Sequence, residues 1–157
     1  MEAQRIERRG SFSRDDTAGR KRGERAAGRT ATIGWAAIAG GTLILLFWIL
    51  YMAGLRPDDP SARAYEGAFP IADAALGLTL VGAGIGLTRG RPFGSFLLVA
   101  AAAAAVYLGI LDVTFYAGAK AYAPLTPQVA IEILVNAASI GGGTVGLILG
   151  WRFWRDR

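Results

Sequence analysis

Four long apolar segments constrain the fold of this chain more than any other feature of its sequence. They cover roughly residues 32–54, 69–88, 95–116 and 129–150. Each segment reaches the ~20 residues that an α-helix needs to cross the hydrocarbon core of a bilayer. The hydrophobic content of 53% and the mean hydropathy of +0.36 are also higher than is usual for a soluble domain. The sequence therefore predicts an all-α fold, a four-helix transmembrane bundle.

The apolar segments divide the chain of 157 residues into three parts. Residues 1–31 are polar, Arg-rich and poor in large apolar groups, a composition that predicts a disordered basic tail. Residues 32–151 form the predicted transmembrane domain, and residues 152–157 form a second, short basic tail. The first apolar segment is too long for the apolar region of a signal peptide, so we expect it to remain in the protein as a signal anchor.

The basic residues predict how the helices are oriented. If the N-terminus lies in the cytoplasm, fourteen of the 17 Lys and Arg residues fall on the cytoplasmic side, and only Arg56, Arg63 and Lys120 fall outside. This asymmetry predicts that both termini are cytoplasmic. The compact, Ala-, Gly- and Arg-rich chain favours a bacterial origin and hence the plasma (bacterial inner) membrane. We expect the basic tail to lie on the anionic lipid bilayer, and we expect no nucleic acid partner.

The chain contains no Cys and no His. This excludes disulfides, thiolate catalysis, iron–sulfur ligation and every site built on imidazole, including His-ligated haem and His-ligated zinc. Proton or metal chemistry would therefore depend on carboxylates, Tyr, Lys, Asn or backbone oxygens. We expect no cofactor, while a hard cation held by oxygen atoms stays open.

Three acidic residues, Asp73, Asp112 and Glu132, lie inside the apolar segments. Threading the helices back and forth places them on the outer side of the membrane, roughly 5–12 Å below its boundary. Helical phase places each acid on the face with the smallest residues, which is the face that packs against other helices. A charged residue in lipid costs roughly 2.5–3.5 kcal/mol at the centre of the bilayer, so it is a functional candidate. Together with Asn136 and Tyr116, these acids form the predicted ligand-binding pocket.

A purely structural role for the acids also stays open. Asp73 and Glu132 lie near helix N-termini, where a carboxylate stabilises the helix dipole, but Asp112 lies near a C-terminus, where it does not. Glu66, in the loop, is predicted to be a solvated or interfacial charge, and lining the rim of the pocket is the alternative. The first helix, with Trp48, is predicted to be mainly a structural wall. Four tyrosines are predicted to form an aromatic belt at the outer boundary: Tyr51, Tyr65, Tyr116 and Tyr122.

Three classes of function fit this pattern. The first is binding, or help in transport, of a cation, a proton or a small amphipathic or cationic ligand at the acidic pocket. The second is a structural or accessory subunit that docks through its Gly-rich faces, in a homo-oligomer or a larger membrane complex. The third is a membrane enzyme that uses carboxylates as acid and base on a lipid-like substrate. No nucleophile, metal motif or cofactor motif supports the enzyme, so we predict no catalytic residue and favour binding.

Overall fold

A computed structural model describes the backbone of residues 2–54, 60–119, 122–123 and 125–155. Arg56 and Lys120, which the sequence places on the outer side, lie outside these residues. The described chain is helical, apart from turns and short connections. Its elements are α1 (Glu2–Met52), α2 (Pro60–Glu66), α3 (Pro70–Thr88), α4 (Pro92–Gly118), α5 (Pro127–Ala137), a π-helical turn (Ala138–Gly142) and α6 (Gly143–Arg155).

Four helical stretches of the described chain are long and apolar enough to cross a membrane. They are Gly19–Met52 in α1, Pro70–Thr88 in α3, Pro92–Gly118 in α4, and Val129–Arg155, which runs from α5 to α6. The prediction of an all-α chain with four candidate membrane spans is therefore confirmed. Pro stands in the first turn of α3, α4 and α5, where its missing N–H costs no helical hydrogen bond.

The first helix extends much further than the sequence indicates. It begins at Glu2, inside the segment predicted to be disordered, and all the described side chains from Thr17 to Arg29 are exposed. An added Cβ at Gly23 or Gly28 would meet no atom within 4 Å, so these two positions face open space among the described residues. Good helix formers such as Arg, Lys, Glu and Ala favour helix locally. Arg20 and Glu24 form an exposed ion pair one helical turn apart, with 3.7 Å between Arg20 Nε and Glu24 Oε1. This pair adds a little to the stability of the helix.

Each span packs mainly on its neighbours in the sequence: α1 on α3, α3 on α4, and α4 on α6. Glycines allow the closest approaches. A Cβ added to Gly41 of α1 would collide with the carbonyl oxygen of Gly77 in α3, and a Cβ added to Gly77 would lie 3.0 Å from the carbonyl oxygen of Gly41. The small-residue face predicted for the second span is thus its packing face on α1.

A tight turn joins α3 to α4. Gly90 in this turn has φ of +63°, a left-handed conformation that glycine adopts without strain, and the Arg91 amide donates to the Gly86 carbonyl at 2.8 Å. The predicted antiparallel hairpin of the second and third spans is confirmed. We call this end of the molecule the hairpin end, and the opposite end, which carries α2, the α2 end.

The sequence predicts one regular α-helix for 129–150, but the last span of the structure is interrupted. Its π-helical turn separates α5 from α6, and the two parts pack differently. Gly143 in α6 lies so close to α4 that an added Cβ would be 2.9 Å from the Ala102 carbonyl oxygen, whereas α5 contacts α4 much less. Within the described chain, no extended interface joins α1 to either part of the last span. At the α2 end, this arrangement leaves a space between the first and last spans.

Candidate functional site

The space at the α2 end is a cavity of about 330 Å³. Among the described residues that line it are four acids and no Lys or Arg: Glu66, Asp73, Asp112 and Glu132. The acids come from four different helices, α2, α3, α4 and α5, and each is partly buried. The structure therefore brings the three acids of the predicted pocket to one cavity and adds a fourth.

Asp73 lies in the first turn of α3 and accepts a hydrogen bond from α1. The indole Nε1–H of Trp48 donates to Asp73 Oδ2 at 3.0 Å. Trp48 is buried, and its ring contacts Phe47 and Tyr51, with centroid distances of 5.3 and 5.0 Å. The first helix, predicted to be mainly a structural wall, thus also supplies the donor that holds one of the cavity acids.

Asp112 accepts a hydrogen bond from α2. The Tyr65 hydroxyl donates to Asp112 Oδ1 at 2.9 Å, and the Tyr65 ring stacks on Phe115 of α4 at 3.6 Å with an interplanar angle of 5°. Burial and the hydrogen bond to Asp112 raise the pKa of Tyr65 well above its ordinary value, so the phenol keeps its proton. The hydrogen bond and the ring stacking together hold α2 against Asp112 near the end of α4.

Glu66 follows Tyr65 and lines the cavity, which is the alternative that the sequence left open for this residue. Its Oε2 atom is buried and has no hydrogen-bond partner within the described residues. Burial raises the pKa of Glu66 to about 7, and the nearby carboxylates of Glu132 and Asp112 contribute to the rise. The charge of this residue therefore changes near neutral pH.

The two other predicted site residues differ in their placement. Tyr116 is buried and lines the cavity. Asn136 is only 3% exposed but is not among the lining residues, and its Nδ2 donates to the Tyr122 hydroxyl at 3.2 Å. The Tyr122 ring lies 5.7 Å from that of Tyr116, so Asn136 reaches the cavity wall only through two rings. Asn136 Oδ1 has no hydrogen-bond partner in the described part of the chain.

The predicted aromatic belt is largely internal to the protein. Tyr51 and Tyr116 are buried, and Tyr65, Tyr116 and Tyr122 contact each other or neighbouring rings. Two of these rings, Tyr65 and Tyr116, line the cavity. Aromatic faces beside carboxylates suit an organic cation, since both attract positive charge. Among the described residues, no three acids are grouped closely enough to hold one metal ion.

Trp48 and Tyr65 are the site residues that sequence reasoning missed, and Glu66 is one that it placed at the rim only as an alternative. The position of Trp48 along its helix could have indicated its contact with Asp73. Trp48 lies four residues before the end of α1, and Asp73 lies a similar distance after the start of α3, so the two residues are at similar depths in the bundle. A buried indole N–H usually finds a polar partner. For Tyr65 and Glu66 the signal is weaker: they are an aromatic and an acidic residue side by side, between two prolines.

Comparisons with protein families, with curated proteins and with solved structures found no match for this chain.

Proposed function

We propose that this protein is a small polytopic membrane protein that binds a cationic ligand in the acidic cavity, or helps to transport it. One observation carries the proposal: the described lining has four carboxyl groups and no basic side chain. The volume of about 330 Å³ is at the lower end of the range for small-molecule sites. A small organic cation fits this geometry best, within the wider class of cations, protons and amphipathic ligands.

Electrostatics gives the physical reason for this choice. Carboxylates that share a partly buried space repel each other, and a cation placed among them relieves this repulsion. A single pair of unit charges 4 Å apart is worth about 4 kcal/mol at an effective dielectric constant of about 20. The two hydrogen bonds from Trp48 and Tyr65 hold Asp73 and Asp112 in place without neutralising them. In their ionised form, the acids can therefore offer their charge to a ligand.

We further propose that both termini are cytoplasmic and that the protein lies in the plasma (bacterial inner) membrane. Support comes from the basic residues at the hairpin end, which include Arg89 and Arg91 in the turn and Arg152 and Arg155 near the end of α6. Basic residues concentrate on the cytoplasmic side of membrane proteins. In this orientation the acidic cavity lies in the outer leaflet.

The proposal is tested by titrating the purified protein in lipid nanodiscs with tetramethylammonium, followed by isothermal calorimetry. Asp112→Asn removes one charge but keeps the oxygen that accepts from Tyr65. We expect at least tenfold weaker binding at an unchanged melting temperature. Glu24→Gln, on the exposed part of α1, is the matched control and should bind like the wild type. The proposal fails if the wild type shows no saturable binding, or if Asp112→Asn binds normally.

The accessory-subunit hypothesis stays a prediction from the sequence. It requires a partner that co-purifies with the protein and tolerance of Asp73→Asn, and pull-down from the native membrane measures the first of these.

A further inference from the structure

The cavity opens sideways, between α1 and α5. Four of its lining residues are 47–66% exposed: Leu43 and Phe47 on α1, and Ile131 and Val135 on α5. By contrast, the lining residue Leu76, on the wall formed by α3, is buried. A residue that lines a cavity and is also exposed stands at its mouth. We call this mouth, flanked by these four residues, the lateral opening.

The lateral opening lies within the candidate membrane spans. Leu43 and Phe47 belong to the span Gly19–Met52, and Ile131 and Val135 belong to the span Val129–Arg155. All four side chains are apolar, and in a membrane such exposed side chains face acyl chains and not water. The first and last spans do not close the gap, because no extended interface joins them within the described chain. The cavity is therefore accessible from the hydrocarbon region.

The cavity wall has two layers. Leu76, Leu108 and Val135 line the cavity about one helical turn, or roughly 5 Å, further from the α2 end than the acids of their own helices. These acids are Asp73 on α3, Asp112 on α4 and Glu132 on α5. Three helices thus repeat the same order, with a carboxyl group towards the α2 end and an aliphatic side chain beneath it. The buried, unpartnered oxygen of Glu66 lies in the acidic layer.

We propose that the ligand is an amphipathic cation with an alkyl chain, which enters the cavity from the bilayer through the lateral opening. The cationic head lies among the carboxyl groups, while the chain lies along the aliphatic layer and leaves between Phe47 and Val135. This inference rests on the proposed cation-binding function and names the ligand class for the same site. The negative charge of the carboxyl groups favours a cationic head, and the apolar residues of the opening favour an alkyl tail.

The experiment compares two probes with the same head. The full chain in nanodiscs is titrated calorimetrically with tetramethylammonium and with octyltrimethylammonium, and protein-free nanodiscs give the background for partition into lipid. We expect the octyl compound to bind at least tenfold more tightly than the methyl compound, because its chain buries apolar area in the cavity.

A large side chain placed in the lateral opening separates the contribution of the opening to binding affinity from the contribution of the acids. Val135→Trp should abolish the preference for the octyl chain, and the measured quantity is the ratio of the two affinities, so that any change in tetramethylammonium binding itself cancels. Val145→Trp is the matched control, because Val145 is 54% exposed on α6 and does not line the cavity. Leu43→Trp, on the opposite flank, repeats the test if Val135→Trp fails to give a folded protein by circular dichroism.

The outcomes distinguish the two proposals. If tetramethylammonium binds but the octyl chain adds no affinity, or if both filled variants keep the octyl preference, lateral access is overturned and cation binding stands. If neither probe binds to the wild type, the proposed function fails as well. If the protein is a dimer by mass photometry and Val135→Trp converts it to a monomer, a second copy covers the opening and the inference is overturned.

Discussion

Cation binding should depend on pH through Glu66, and this dependence can be predicted in size and sign. Glu66 lines the cavity from α2, where it faces Asp73, Asp112 and Glu132 on three other helices and the phenol of Tyr116. Because burial and neighbouring carboxylates raise its pKa to about 7, Glu66 is neutral at pH 5.5 and charged at pH 8. A neutral Glu66 attracts no cation, so binding should strengthen as the pH rises.

The magnitude follows from the pKa. If binding requires the charged form, the affinity falls by a factor of one plus ten to the power of the difference between pKa and pH. With a pKa of about 7, binding at pH 5.5 should be about 30-fold weaker than at pH 8. Ligand-free stability has the opposite trend. The folded protein holds the proton more tightly than the unfolded chain, so its stability should fall as the pH rises from 4.5 to about 7.

The size of the stability change needs a correction for solvent. A rise in pKa from 4.5 to about 7 corresponds to about 3 kcal/mol at full strength. Glu66 is only partly buried, so solvent screening reduces the expected loss to about 1–2 kcal/mol. This loss is confined to the interval between the two pKa values, and the curve should be flat above pH 7.

The assay is calorimetric titration with tetramethylammonium between pH 5.5 and pH 8, on the wild type, Glu66→Gln and Glu24→Gln. Glu66→Gln should bind less tightly than the wild type at pH 8 and should lose the rise in affinity centred near pH 7. Glu24→Gln should keep that rise. A wild-type affinity that is constant over this range, or a rise of the same size in Glu66→Gln, would refute the reasoning.

Two further substitutions test the contacts that form the cavity and the bundle. Trp48→Phe keeps an aromatic ring but removes the donor to Asp73, and it should lower the free energy of unfolding in detergent by about 1–2 kcal/mol; an unchanged value would mean that water replaces the indole at no cost. Gly41→Leu places a side chain against the backbone of α3 and should cost about 1–3 kcal/mol by the same measurement. Gly40→Leu is its matched control, because an added Cβ at Gly40 meets nothing within 4 Å, and equal effects of the two would contradict the packing argument.

The spans were predictable because their signal is local. A bilayer requires a helix to satisfy its own backbone groups, so an apolar run of about twenty residues has few alternatives. The convergence of Asp73, Asp112 and Glu132 was also predictable, because depth and helical phase together specify position in an antiparallel bundle. The helical conformation before Gly19 was not predictable in this way, since the composition of that segment is typical of disorder.

Asn136 shows where helical phase is too coarse. Relative to Glu132, at about 100° per residue, Val135 and Ser139 are rotated by about 60° and 20° to one side, and Asn136 by about 40° to the other. The cavity face of the last span includes Glu132 and Val135 on α5 and Ser139 in the π-helical turn, and it excludes Asn136. Glu132 and Asn136 do lie on the same side of the helix, but only Glu132 lines the cavity. Which part of that side faces the cavity depends on the positions of the neighbouring helices.

The position of the cavity follows from how small and large side chains are distributed along the spans. Towards the hairpin end, Gly84 lies against the backbone of α1 and Gly150 against that of α4, and an added Cβ at either position would collide or lie closer than normal contact. Towards the α2 end, large rings line the space between the helices, including Trp48, Tyr65 and Tyr116. Close contact at one end and bulky side chains at the other spread the spans, and the acids lie in the space between them. The cavity is therefore a consequence of the packing, and substitutions that enlarge the hairpin end should change its shape even though they lie far from every acid.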